Sequence, residues 1–188
     1  MEIFDKRKQD ILGKKDKSFI GGWDKKIIAL CEKLNKSKNY YSTSSCSGRI
    51  VLIIDSNKKT YGLFLKIHHT LISLSQLKRD LNEIIGKSKG QLIIFKQEPC
   101  GLHVACRSLK DAQVLVSKAR KNGWKKSGII SSDKRFIVEM FGTGKLEFPI
   151  IKDCRLLVDE RFLKEILKKS NKNLKKSWKQ INSLKKSI

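Results

Sequence analysis

Eight consecutive residues, Ser42-Thr43-Ser44-Ser45-Cys46-Ser47-Gly48-Arg49, separate an amphipathic helical pattern from the apolar run Ile50-Val51-Leu52-Ile53-Ile54. The apolar run must be buried as a strand, whereas five hydroxyls, a thiol and a glycine cannot build a core. The fold therefore has to bury residues 50–54 and present residues 42–49. Small polar residues of this kind offer N–H and O–H groups to an anion, with Arg49 as a cation beside them. They are also the composition of an ordinary helix-to-strand turn. Both readings make 42–49 a loop, and composition alone leaves both open.

The remaining pattern alternates short helices and strands. Residues 3–15 and 22–35 read as basic helices, the second with Trp23, Ile27, Leu30, Cys31 and Leu34 on one face. Residues 50–55 and Tyr61–His68 form a hairpin about the turn 55–59. Ser73-Leu74-Ser75-Gln76 is a capping pattern that opens a helix carrying Leu74, Leu77, Leu81 and Ile84 on one face. Strands are expected at 91–96 and 102–106. A helix capped at Ser108 ends at Asn122-Gly123. A hairpin is expected over 127–131 and 135–141, then short strands near 145–149 and 155–158. From Asp159 a basic helix spans 159–188, with Leu167, Leu174, Trp178, Ile181 and Ile188 as its stripe and a fraying last turn. The order suits one compact α/β domain over 1–188, a mixed sheet with flanking helices. The two halves share a loose order of hairpin and helix, a hint of internal duplication that the pattern does not establish.

Charge narrows the partners. Lys and Arg number 42 against 18 Asp and Glu, a formal net charge of +24, which favours a polyanion. A lysine-rich composition also arises in low-GC or thermophilic sources, so charge alone does not prove nucleic-acid binding. No apolar run approaches the roughly 18 residues of a membrane span, and the first residues carry no secretory pattern. Cysteines at 31, 46, 100, 106 and 154 show no C-x-x-C spacing and read as free thiols of a reducing cytoplasm. His68, His69 and His103 do not cluster with them at ligand spacing, so no metal is expected.

Three places carry candidate chemistry. Cys46 in its serine block could act as a nucleophile with His68 or His103 as base, but no third orienting group is evident and a structural thiol is the simpler reading. Lys66-Ile67-His68 ends a strand. Glu98-Pro99-Cys100-Gly101-Leu102-His103-Val104-Ala105-Cys106-Arg107 gathers Glu, His and Arg in one segment, with His103 and Arg107 on one side and Cys106 on the other. Gly142-Thr143-Gly144 precedes a strand rather than a helix, which disfavours a Rossmann cofactor site.

Taken in order, these blocks resemble the wybutosine-synthesis methyltransferase family. The likeness runs through Phe4 with Arg7-Lys8, Asp16, Ser18, Gly22 and Asp24, then Tyr41 to Ile50, and Lys66-Ile67-His68. It continues in Glu98-Pro99, Leu102-His103-Val104 and Cys106-Arg107, Asp111-Ala112, Gly123-Trp124, Ser127-Gly128-Ile129, Pro149, Leu157-Val158 and Asn171. Ile67 replaces a usual tryptophan, Cys154 a common glycine, and Cys100-Gly101 is less bulky than the usual pair. The resemblance implies a non-Rossmann fold and S-adenosylmethionine-dependent methylation of N4 of 4-demethylwyosine beside the anticodon of phenylalanine tRNA. On residue type, Ser44, Ser45, Cys46, Ser47, Gly48 and Arg49 are then expected to hold the cofactor, Arg49 as anion anchor. His68, His103 and Glu98 would orient or deprotonate the base. Lys66, Arg107, Asp24 and Asn171 would contact the tRNA. A non-catalytic basic RNA-binding module explains the charge equally well, though not the pairing of the serine block with the His/Cys/Arg segment. A thiol-dependent hydrolase is more remote.

Overall fold

The computed structural model describes residues 3–14, 24–57, 61–87 and 90–188. Along the chain come helices α1 (Ile3–Leu12) and α2 (Ile28–Lys36), strands β1 (Tyr40–Cys46), β2 (Arg49–Ile54) and β3 (Phe64–His68), and helix α3 (Leu74–Lys87). Strands β4 (Ile93–Glu98) and β5 (Gly101–Cys106) lead to helix α4 (Leu109–Lys121). Strands β6 (Lys126–Ser131), β7 (Phe136–Phe141), β8 (Leu146–Lys152) and β9 (Arg155–Leu156) precede helix α5 (Glu160–Ser187). The chain divides into two compact units. The first takes residues up to Ser47, Cys100–Thr143 and Ser177–Ile188; the second takes Gly48–Pro99 and Gly144–Lys176.

In the first unit, β1-β5-β7-β6 form an antiparallel sheet. Alternation turns Leu102 and Val104 of β5 and Val138 and Met140 of β7 to one face. Leu30 and Leu34 of α2, Leu115 and Ala119 of α4, and Ile181 and Leu184 of α5 are buried against it. In the second unit, β3-β2-β4-β8-β9 form another antiparallel sheet. Here Phe95 stacks on Phe148, and α3 buries Leu77, Leu81 and Ile84. Every described strand pairing is antiparallel, so the fold is mixed α/β and, among the described residues, has none of the parallel β-α-β units of a Rossmann domain.

Caps form where side-chain chemistry demands them. Gln76 N–H donates to Ser73 Oγ at 3.1 Å, Asp111 N–H to Ser108 Oγ at 3.1 Å, and Phe162 N–H to Asp159 Oδ1 at 2.8 Å. Helix α5 reaches Ser187, and Leu184 in its last turns is fully buried. Trp23, Asp16, Ser18, Gly22, Lys58 and Lys59 lie outside the described residues. Asp153 and Cys154 close the β8–β9 hairpin at φ +48° and +59°. A two-residue turn needs that left-handed backbone, which explains why glycine suits the position that Cys154 holds.

The expected loop at 42–49 is a correction. Residues 40–46 are β1, an edge strand paired with β5 from Tyr40↔Cys106 to Cys46↔Gly101. An edge strand with one face in solvent tolerates small polar residues, and its partner lies some sixty positions away, beyond the reach of a local pattern. A bulge falls between Ser42 and Ser44. There Asn35 Oδ1 of α2 accepts both the Ser42 N–H, at 2.8 Å, and the Ser42 hydroxyl, at 3.2 Å. A bulge re-aims side chains. Ser42 is buried while Thr43 and Ser44 are both exposed, which strict alternation would not allow.

Candidate active site

Strand register decides which candidate residues meet. In the first unit, His103 of β5 stands opposite Ser44 of β1 on one side and Glu139 of β7 on the other. Its Nε2 lies 2.9 Å from Glu139 Oε1, and the Phe141 ring meets the imidazole edge-on at a centroid distance of 6.0 Å. Thr43 Oγ1 donates to the His103 carbonyl at 3.4 Å. The result is an open polar patch, with the His103 and Glu139 side chains about one-third exposed. Ser45 and Cys46 come next on the strand, half-buried, and Ser47 is fully buried. Asp24 Oδ2 accepts the Ser47 N–H at 3.0 Å, so the backbone donor expected to face an anion is held by the chain's own carboxylate.

Arg107 stands just past the end of β5 and does not share a strand face with His103. Its guanidinium grips Asp5 of α1, donates to the Lys38 carbonyl, and lies over the Phe4 ring at 4.6 Å. Hydrogen bonding to Arg107 holds the Asp5 carboxyl below its ordinary range. Burial pushes Cys31 up to about 11 and Cys100 and Cys106 up to about 12, which keeps these three thiols protonated and inert at neutral pH. Gly101 has a packing reason. A Cβ there would stand 2.3 Å from Phe141 Cε1. Gly101→Ala is expected to destabilise the fold by about 1–3 kcal/mol through overpacking. Urea unfolding checks this, and a loss below about 0.5 kcal/mol would show that Phe141 yields freely.

In the second unit, Arg49 and Glu98 are register partners, and Arg49 Nε donates to Glu98 Oε2 at 2.5 Å. The Arg49 guanidinium also lies 5.1 Å from the Phe64 ring centroid. His68 pairs with Ile50 in the adjacent row, whose other member is Gln97. Adjacent rows point to opposite faces, so the sheet separates His68 from Glu98 and the two cannot act on one atom from there. Gln97 is fully buried and its Oε1 accepts from Asn173 Nδ2 at 2.6 Å.

The face that carries His68 meets α3. His68 Nε2 lies 2.7 Å from Asp80 Oδ2, Gln76 Nε2 donates to Asp80 Oδ1 at 2.9 Å, and Lys66 Nζ is 4.0 Å from the same Oδ1. Lys66 also pairs with Glu83 at 2.7 Å, and Glu83 with Lys87 at 2.9 Å. Hydrogen bonds from Lys66 and Lys87 hold the Glu83 carboxyl down to about 2. Lys66, expected to face phosphate, thus belongs to a ladder of charge ending at His68. Asp80 escaped the sequence reading, yet it left a signal: an acid among Leu77, Leu81 and Ile84 on the buried face of α3. Glu139 left none, since β7 alternates without any cue to a partner. Asn171 clamps the chain before α3, donating to the Ile72 carbonyl at 2.9 Å and accepting the Ile72 N–H at 3.3 Å. A cavity of about 270 Å³ opens beside the ladder, lined by Ile54, Leu65, Ile84 and Ile93 with Lys66 and Lys87 at its rim. It falls just below the roughly 300 Å³ at which small-molecule pockets begin.

Among the described residues no helix is long and apolar enough to cross a membrane. Among the described residues no cysteine forms a disulfide. The chain is 37% identical over 82% of its length, and 80% of the relative's, to a Methanocaldococcus jannaschii protein. That protein is named tRNA(Phe) 7-((3-amino-3-carboxypropyl)-4-demethylwyosine(37)-N(4))-methyltransferase. A Bos taurus relative, a tRNA wybutosine-synthesizing protein 3 homolog, is 32% identical over 95% of this chain and 69% of its own. A solved structure from Pyrococcus horikoshii superposes with a TM-score of 0.85 at 28% identity, covering 98% of this chain and 93% of that one. A family model described as methyltransferase TYW3 matches residues 6–188, and the chain belongs to that family of methyltransferases.

Proposed function

We propose that this chain uses S-adenosylmethionine to methylate N4 of 4-demethylwyosine in phenylalanine tRNA, and that it works in the cytoplasm. The observation that carries the reading is the likeness, along nearly the whole chain, to a family and to relatives named for that reaction.

Ser44, Ser45, Cys46, Ser47, Gly48 and Arg49 are the residues proposed to hold the cofactor. The donor set fits: Ser47 Oγ is fully buried with no hydrogen-bond partner, and Ser44 and Thr43 are exposed where the bulge re-aims β1. Such hydroxyls suit the ribose and carboxylate of a nucleoside joined to an amino acid. When bound, S-adenosylmethionine supplies an electrophilic methyl group, so the protein's task is alignment and removal of a proton.

Methylating a ring N–H breaks the N–H bond as the N–C bond forms, and the proton needs an acceptor. His68 and His103 each have a carboxylate partner at Nε2, which leaves Nδ1 of each ring as the proposed acceptor. Glu98, held by Arg49, is proposed to orient the base rather than to share a proton with His68. Lys66 and Arg107 keep about a quarter of their side chains exposed and are proposed as phosphate contacts. Asp24 and Asn171 are proposed to serve the tRNA by fixing the backbone at Ser47 and Ile72.

Incubation with the methyl donor and tRNA carrying the demethyl precursor, followed by nucleoside mass analysis, tests the reaction. The expected result is the gain of one methylene on that nucleoside, and no gain overturns the reading. Rates near wild type in both Arg49→Ala and His103→Ala would remove the roles assigned to those two residues.

A further inference from the structure

Helix α5 buries Leu167, Ser170, Leu174, Ser177, Ile181 and Leu184 along one side. At 3.6 residues per turn, the line directly opposite that side passes through Lys164, Lys168, Lys172, Lys175, Lys179 and Lys186, all exposed. The six lie within about 80° of arc and extend about 33 Å along the axis, close to one turn of a nucleic-acid duplex. Glu160 pairs with Lys164, and no described carboxylate is within ion-pair distance of the other five. A stripe in which five of six lysines lack a described acidic partner, on the side opposite the buried face, has nothing to do for packing.

We infer that this stripe is a docking surface for the sugar-phosphate backbone of the tRNA; the inference rests on the functional reading above. Charge complementarity names the occupant. Lysines at successive turns match a run of phosphates as point charges, which tracks a backbone without reading bases. Arg161, exposed one turn before Lys164 within the same arc, extends the row of cations. A membrane is the wrong partner, because an interfacial helix inserts its apolar side and α5 has that side inside the fold.

The test is the salt dependence of tRNA binding by the full chain, read by fluorescence anisotropy, for the quadruple variant Lys168→Gln, Lys172→Gln, Lys175→Gln, Lys179→Gln. Glutamine keeps helix propensity close to that of lysine. Each phosphate contact contributes about 0.7–0.9 to the slope of log K against log salt, so the slope is expected to become shallower by about 3. The KM for tRNA is expected to rise at least about tenfold while kcat at saturation holds, as for loss of uniform binding. A control replaces four exposed lysines elsewhere, Lys36, Lys110, Lys121 and Lys125, and is expected to change the slope by less than about 1. A wild-type slope in the α5 variant would assign the stripe to an acidic protein or to solvent, and would overturn the inference. An equal change in the control would also overturn it by making the effect one of net charge. Wild-type protein that binds tRNA through the stripe but transfers no methyl would sink the functional reading alone. Methyl transfer with an unaltered slope would sink only this inference.

Discussion

Asp80→Asn is expected to lower kcat by about 10²–10⁴-fold, the contribution of a positioned general base, with the KM for tRNA nearly unchanged. The Asp80 side chain is only 4% exposed, and a carboxylate so deep persists because three groups face it. A carboxylate only accepts, so the His68 Nε2 that faces it carries the hydrogen, and in the neutral ring the lone pair is then on Nδ1. Asparagine reverses this arrangement. Gln76 Nε2 donates to Oδ1 and would keep the amide oxygen on its own side, which turns the amide NH₂ toward His68. The ring nitrogen there must then accept, and the hydrogen moves to Nδ1. Size and burial hardly change; the tautomer does. Steady-state kinetics with demethyl-precursor tRNA, run beside thermal unfolding, separates the effects. A kcat within about threefold of wild type would remove His68 as the proton acceptor, and a fall in kcat that tracked lost folded protein would make Asp80 structural.

The split between what the sequence disclosed and what it hid reflects the range of the forces involved. Helix caps at Ser73 and Ser108 are local contests for backbone hydrogen bonds, settled within four residues, and they could be read directly. The β2–β3 and β6–β7 hairpins are likewise short-range. Strand β1 was hidden because what makes Tyr40–Cys46 a strand is β5, and serines at a sheet edge carry no apolar alternation to announce it. The chemistry obeyed the same rule. Residue types marked His68, His103, Arg49 and Glu98, and the family blocks placed them in order. No pattern could say that Arg49 is met by Glu98, or Ser47 N–H by Asp24, or that His68 and Glu98 face opposite ways. Those facts belong to register, and register is fixed by pairing across the chain.

Trp124→Ala is expected to cost about 3–5 kcal/mol of folding stability, a large share of the roughly 5–15 kcal/mol that holds a domain together. Trp124 is fully buried in the core of the first unit, and three local features bring it there. Gly123 takes φ +88°, the left-handed turn that ends α4, and its N–H donates to the Arg120 carbonyl while Trp124 N–H donates to Ala119. This is the paired termination that glycine permits and other residues resist. The chain then enters the core, where Ser127 Oγ donates to the Trp124 carbonyl. The indole N–H donates to the Gln180 carbonyl at 3.2 Å, and Gln180 Nε2 returns a hydrogen bond to Gly123 O at 2.7 Å. The indole thus fills volume and ties the end of α5 to the end of α4. Alanine leaves a cavity that the Gly123 turn cannot close, because the turn is already locked to Gln180. Trp124→Phe keeps most of the volume and loses only the N–H, so it is expected to cost about 1–2 kcal/mol. Urea denaturation of both variants measures the difference. Losses of equal size would place the stability in the hydrogen bond, whereas a loss below about 2 kcal/mol for alanine would show that the core can collapse around the missing ring.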